Sequence, residues 1–439
     1  MFPAMMHMSG RATAAAGGLS GFYVALYRTT DQLGASTNEL NWDAEISDNQ
    51  NVHDNSTNSN RITIPSAWNN RYGHFQFNHY SSGQSAGGSY LQTKNGTQNN
   101  HFGSIRASAP SSSGDDGDCS VGPPIQVTSG DWYSYQFNFS TTIRESRSCS
   151  AFTLFPSTFE GCAVKLSGDF SLSAATTTVV TWDTEEYDLN SYHSTSSNTE
   201  RMTVPSGVSL VRLYGGIDFS VTSGQCLIEL NKNTSGTLVD GGFKKDLGPM
   251  TRTQISAMSA PLAVSAGDWF QLRAFSDGGG SAKAGNGSWF AIQKLDSSLK
   301  YALVNRSSTA SMANGDNTIS WNNEVVDTDG WHDNATNPSR LTVPSGVSRV
   351  RVGYNTEMGG AGDYVTQIYK NGSVLTGAGG QARQDAQSAG NDFNHGWTPP
   401  LDVTAGDYFE LVLNNSTTSQ TLAIASSWFC IEEVPTVST

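Results

Sequence analysis

A histidine set among carboxylates is raw material for acid–base catalysis, and this chain carries such a set three times. Glu45, Asp48, His53 and Arg61 recur as Glu185, Asp188, His193 and Arg201, and again as Glu324, Asp327, His332 and Arg340. Together with Trp42, Asn58, Pro65 and their counterparts they fall at offsets 0, 3, 6, 11, 16, 19 and 23 in every copy, without a gap. Seven identical positions in three copies exceed chance in a chain with 10 Trp and 8 His. Trp42 and Trp182 are 140 residues apart and Trp182 and Trp321 are 139 apart, which sets the size of a repeating unit.

Two readings of the set compete. As catalytic machinery it would need only one copy. As a scaffold it repeats naturally: Asp holds a long polar loop through backbone N–H groups, His is neutral or paired to a carboxylate, and Arg clamps that carboxylate bidentately. The scaffold reading is preferred, because motifs of the GxxxxGK[ST] and HExxH types are also missing from the sequence. The expectation is a protein without catalytic residues. Asp327 and Asp329 open the third loop like a calcium site, yet Pro338 stands where the required glutamate belongs. No cofactor is expected, with Ca²⁺ on that pair as the alternative. Trp68, Tyr80, Tyr192, Trp331 and Trp397 lie in polar, Gly/Asn/Ser-rich surroundings and are candidate glycan-stacking rings. The competing reading is that they staple loops to the fold.

Short strands must position these loops. Phe22 to Tyr27 reads as a strand by its aromatic and β-branched content. Arg61-Ile62-Thr63-Ile64-Pro65 and its counterparts alternate in polarity, with Pro marking a strand end. Gly130-Asp131-Trp132, Gly267-Asp268-Trp269 and Gly406-Asp407-Tyr408 each open an alternating strand, and Lys94-Asn95-Gly96 and Lys370-Asn371-Gly372 are hairpin turns. Apolar spacing of three and four is lacking, so helices should be almost absent. The expected fold class is all-β: three tandem antiparallel jelly-roll sandwich modules. Their expected bounds are 19–158, 159–297 and 298–439, after a flexible arm at 1–18. The linkers between closing and opening strands are short, so the modules must sit side by side.

The bulk composition narrows the partners. With 25 Lys and Arg against 39 Asp and Glu, the net charge is −14, which argues against nucleic acid. No run of eighteen apolar residues is present to span a membrane as a helix. Five Cys without a CxxC pair predict neither a zinc site nor a complete disulfide framework, and favour a reducing folding compartment.

From Val326-Asp327-Thr328-Asp329-Gly330-Trp331-His332-Asp333 through Ser339 to Pro344, then Val403 to Asp407 and the closing aromatic strand, the third module resembles the C1q/TNF-like jelly rolls of bacteriophage virion proteins. In the first two modules the frame persists but Gln50 and Asn190 stand where the third has Asp329. The resemblance implies a ten-stranded jelly roll that forms trimers, with both chain ends at one base of each subunit. Here that means either a trimer of chains or an intrachain pseudo-trimer. It further implies localisation to the virion, as a fibre or spike binding host cell-surface polysaccharide. The alternative is a capsid decoration or tail adaptor protein whose partners are other virion proteins.

Overall fold

The computed structural model describes residues 23–434 apart from 31, 34–37, 49, 83–87, 99–100, 110–114, 138–141, 144–147, 222–223, 234–237, 248–251, 360–363, 377–380, 385–390, 416–419 and 424–425. The arm expected at 1–18 therefore lies outside the described residues. Among the described residues the structure is antiparallel β with a single short 3-10 helix, Ser66–Trp68.

One strand order occurs three times. In the middle segment one sheet runs Thr184–Asp188, Gly161–Leu166, Gly285–Lys294, Leu210–Ser220, Arg252–Met258. The facing sheet runs Met202–Thr203, Trp269–Ser276, Cys226–Lys232, Lys244–Leu247. The first segment repeats the larger sheet with Ala44–Asp48, Tyr23–Tyr27, Cys149–Leu154, Tyr72–Ser82 and Asp115–Val121. The third repeats it with Asn323–Asp327, Tyr301–Asn305, Trp428–Glu433, Arg349–Gly359 and Asn391–Trp397. This order, with sequential strands crossing between two sheets, is a jelly roll.

Burial separates the two sheets. Trp269–Ser276 alternates half-buried and buried residues, as a strand with one wet face must. Leu210–Ser220 is buried along nearly its whole length, so both its faces are covered. Val211, Leu213, Ile217 and Phe219 point into the segment's own core, while Arg212, Tyr214 and Asp218 are also buried. Glu432 and Trp397 of the third segment cover Arg212, and His74 of the first packs on Tyr214.

The segments meet in a closed cycle. Arg106–Ala109 of the first lies against Arg252–Met258 of the second, Lys244–Leu247 of the second against Asn391–Trp397 of the third, and Gln381–Gln384 of the third against Asp115–Val121 of the first. At the last junction Gly117 pairs with Arg383 in a ladder. Three like surfaces each meeting an unlike surface on the next unit is a heterologous contact that closes after three steps.

Candidate functional site

The repeated loop is built the same way in each segment. Asp48 accepts the N–H groups of Gln50 (3.2 Å), Val52 (3.1 Å) and His53 (2.8 Å). Asp188 accepts those of Asn190, Tyr192 and His193 at 2.9–3.2 Å. Asp327 accepts four, from Asp329, Gly330, Trp331 and His332, at 2.8–3.2 Å. One carboxylate thus gathers the amides of a turn that has no ladder partner. The frame's Asn sits at positive φ in all three copies: Asn58 at 59°, Asn198 at 49° and Asn337 at 56°. Asn tolerates that left-handed conformation better than other residues with a Cβ, which explains its place in the repeat.

Each histidine is held on both sides. Nδ1 lies 3.1 Å from Glu45 in the first copy and 3.0 Å from Glu185 and Glu324 in the others. Nε2 donates to a main-chain oxygen, of Ser59, Thr199 or Pro338, at 3.0–3.1 Å. All three imidazole side chains are fully buried. Both nitrogens are therefore engaged in loop closure, and this geometry leaves neither facing an external substrate.

The arginine differs from expectation. Rather than clamping the frame's own carboxylate, Arg61 lies over Trp132 (4.9 Å), Arg201 over Trp269 (4.1 Å) and Arg340 over Tyr408 (4.0 Å). These rings follow the Gly-Asp turns, so the two landmarks of the repeat are joined by a cation–π contact. Strand pairing causes this, since Arg61–Thr63 runs beside Trp132–Phe137 and not beside Ala44–Asp48.

A second repeated cluster was legible only in pieces. Asp131, Asp268 and Asp407 of those turns pair with Lys94, Lys232 and Lys370 at 2.7–2.9 Å. Asn95, Asn233 and Asn371 bridge the same carboxylates to the following main-chain N–H. Despite partial burial, the Asn371 amide, the Thr404 N–H and Lys370 hold Asp407 down to about 2. Sequence placed the Lys-Asn and Gly-Asp turns separately; that they interlock depends on sheet register.

Two further readings are corrected. Trp68, Tyr192, Trp331 and Trp397, proposed as glycan-stacking rings, are all at most 1% exposed. A ring in the core cannot stack on a sugar. Tyr192 also donates to Glu160 (2.9 Å), and Trp397 donates to the Met258 carbonyl (3.1 Å). The side chain of Tyr80 lies outside the described residues. For the calcium pair, Asp327 is occupied by backbone amides, while Asp329 lies 3.6 Å from Lys300 and accepts the Thr328 hydroxyl. Among the described residues no group of three His, Cys, Asp or Glu could hold a metal ion. All five cysteines are free and buried.

The unexpected feature is the surface where the segments meet, which is polar and buried together. Lys245 of the second segment pairs with Asp118 of the first at 2.6 Å, and donates to the Cys119 and Ser256 carbonyls at 2.6 and 3.1 Å. Arg212 of the second pairs with Glu432 of the third. Asn78 of the first donates to the Trp397 carbonyl of the third (3.1 Å), and Gln76 donates to the same oxygen. The Met258 N–H donates to His395 Nε2 at 3.2 Å. Burial, with Arg351 and Arg212 nearby, holds His74 well below the ordinary histidine range. Burial pushes Asp246 up to about 7, although Gln225 and the Phe393 N–H donate to it. The sequence cue was available: Leu210-Val211-Arg212 and Arg349-Val350-Arg351 place a charge on the second face of a strand whose other face is apolar.

The fold and these clusters define an all-β jelly-roll scaffold held by repeated loop clamps. No family model matches the chain, and no curated protein matches it. Among solved structures it is similar to murine APRIL, at 11% identity over 31% of this chain and 100% of that one, with a TM-score of 0.26. It is also similar to Eiger TNF from S. frugiperda, at 18% identity over 32% of this chain and 94% of that one, with a TM-score of 0.25.

Proposed function

We propose that this chain is a non-catalytic structural protein of a phage or phage-like virion in which one polypeptide folds as its own pseudo-trimer. The closed cycle of segment contacts carries this reading. Its charged groups pair across two of the junctions, Lys245 with Asp118 and Arg212 with Glu432, so the second segment supplies cations that the first and the third neutralise. Such pairs fix which surfaces meet. The virion assignment rests on the resemblance of the third module. Within it, a decoration or adaptor role docking on other virion proteins is favoured over glycan attachment. Burial of four of the five candidate rings removes the feature on which sugar stacking was read, and Leu189 and Val374 are the large hydrophobics exposed among the described residues.

Sedimentation of the purified chain tests the first half: the mass of one chain is expected at micromolar concentration, and three times that mass would sink the single-chain trimer. Uptake by bare particles, measured beside binding to extracted host polysaccharide, tests the second. Polysaccharide binding without particle uptake would restore the fibre or spike reading.

A further inference from the structure

At the base of the assembly, where residues 155–158 and 295–299 carry the chain from one segment to the next, lies a cavity of about 550 Å³. Its walls include Leu154, Phe155, Leu295, Leu299 and Val434, and Arg212, Arg351 and Glu432 also line it. The buried charges of its lining do not balance. Arg351 lies opposite Glu432 in the ladder of its own segment. At the equivalent place in the second segment Arg212 lies opposite Gln293, which is uncharged, and in the first segment Tyr72 bonds to Phe155. Two guanidinium groups therefore share a single carboxylate.

Arg212 takes it. Its guanidinium donates to Glu432 and to the Ser259 carbonyl (3.2 Å). Arg351 stays 3.8 Å from Glu432, beyond hydrogen-bond distance, and donates to the Thr153 hydroxyl at 3.2 Å. Its Nε has no hydrogen-bond partner among the described residues, although Arg351 is only 3% exposed. Burial depresses its guanidinium below the ordinary value, Glu432 offsets this in part, and Arg212 adds to it. The other charged residues of the lining are otherwise engaged or open to water: Lys294 pairs with Glu160 (2.9 Å), Asp296 accepts from Ser298 (2.7 and 2.8 Å), and Glu433 is partly exposed. A buried guanidinium with an unpartnered N–H is costly unless an anion meets it.

We propose that this cavity binds a small amphipathic monoanion, with its carboxylate or phosphate group on the unpartnered Nε of Arg351 and its apolar body against Leu154, Phe155, Leu295, Leu299 and Val434. The volume lies in the range of small-molecule sites, and an apolar wall with one placed charge is their usual make-up. The ligand would seat where all three segments converge and would tie them together.

Calorimetric titration of the full chain with decanoate, decanol and inorganic phosphate tests it. Decanoate is expected to saturate at one site per chain, with decanol and phosphate each at least tenfold weaker. Arg351→Gln should weaken decanoate at least tenfold and leave decanol unchanged. Because that variant removes a buried charge and could fail to fold, Leu295→Trp, which fills the cavity from a linker, serves as the second test. It should abolish binding while the melting temperature stays close to that of the parent. No saturable decanoate binding to the folded chain, or binding that survives Leu295→Trp, overturns the proposal. Phosphate binding as tightly as decanoate overturns its apolar half.

Discussion

The outer loops and the inner junctions use the same residue types in opposite ways. In the loops, one Asp, one His and one Glu make the same contacts three times, within a segment and near the surface. At the junctions the pairings differ: Lys245 meets Asp118, Arg212 meets Glu432, and among the described residues no counterpart pair stands at the equivalent positions of the other segments. A loop sees only its own chain segment, so one solution serves three times. A junction joins two different faces, so each has its own complement, and the charge pairs distinguish the second segment's two neighbours. Repetition marks local support and its absence marks assembly.

The strongest way to break the comparison is to unpair a junction. Lys245→Met leaves Asp118 buried without its partner and should cost about 3–5 kcal/mol, whereas Lys245→Met with Asp118→Asn should recover most of that loss. Urea unfolding of the parent, single and double variants reads both numbers. If the single variant costs under about 1 kcal/mol, the pair does not order the ring.

A titration sharpens the same side. Asp246 is buried, and its carboxyl is raised to about 7 in the folded chain. A raised carboxyl favours the protonated folded form, so its contribution is full below the ordinary carboxylate value near 4 and is lost as pH climbs through about 7. Asp246→Asn removes that dependence. The variant should gain stability over the parent between pH 5 and 8, by up to roughly 4 kcal/mol at the top of the window if the whole shift is realised. His74 and His395, held neutral by burial, weaken both proteins alike as pH falls below the ordinary histidine value, so the difference isolates the carboxyl. Parallel stability curves would place Asp246 in contact with water.

How much of this was readable from sequence follows from the same division. The repeat, the all-β class and the Asp–His loop were legible because their determinants lie within two dozen residues: Asp327 reaches no farther than His332 for its amides. The Arg61–Trp132 stack was not, because 71 residues separate the two and only strand register brings them together. Trp397 misled in the opposite direction. Its polar neighbours suggested exposure, but Arg212, which lies 5.3 Å over the ring, and Met258, whose carbonyl accepts the indole N–H, come from another segment. Polar surroundings signify a wet ring only when no second surface covers them.

On the loop side, replacing the amide-gathering carboxylate should cost the same in every copy. Asp327→Ala strands four N–H donors and should destabilise by about 2 kcal/mol, with Asp48→Ala and Asp188→Ala close to it. Thermal unfolding of the three variants checks the equivalence. A loss confined to one copy would mean that the shared spacing hides unequal roles.

The smallest effect decides what the frame's arginine does. Arg340 lies 4.0 Å over Tyr408 and 3.3 Å from Glu410, with about a third of its side chain exposed. An exposed cation–π contact is worth about 0.5–1 kcal/mol, and a screened ion pair is worth no more, so Arg340→Ala alone cannot tell them apart. A double-mutant cycle can. Coupling of Arg340→Ala with Tyr408→Leu should be about 0.5–1 kcal/mol and should survive high salt, because the stacked faces exclude water from part of the contact. Coupling with Glu410→Gln should be smaller and should fade as salt screens it. The reverse order would make the carboxylate, and not the ring, the reason that an arginine opens this strand in all three copies.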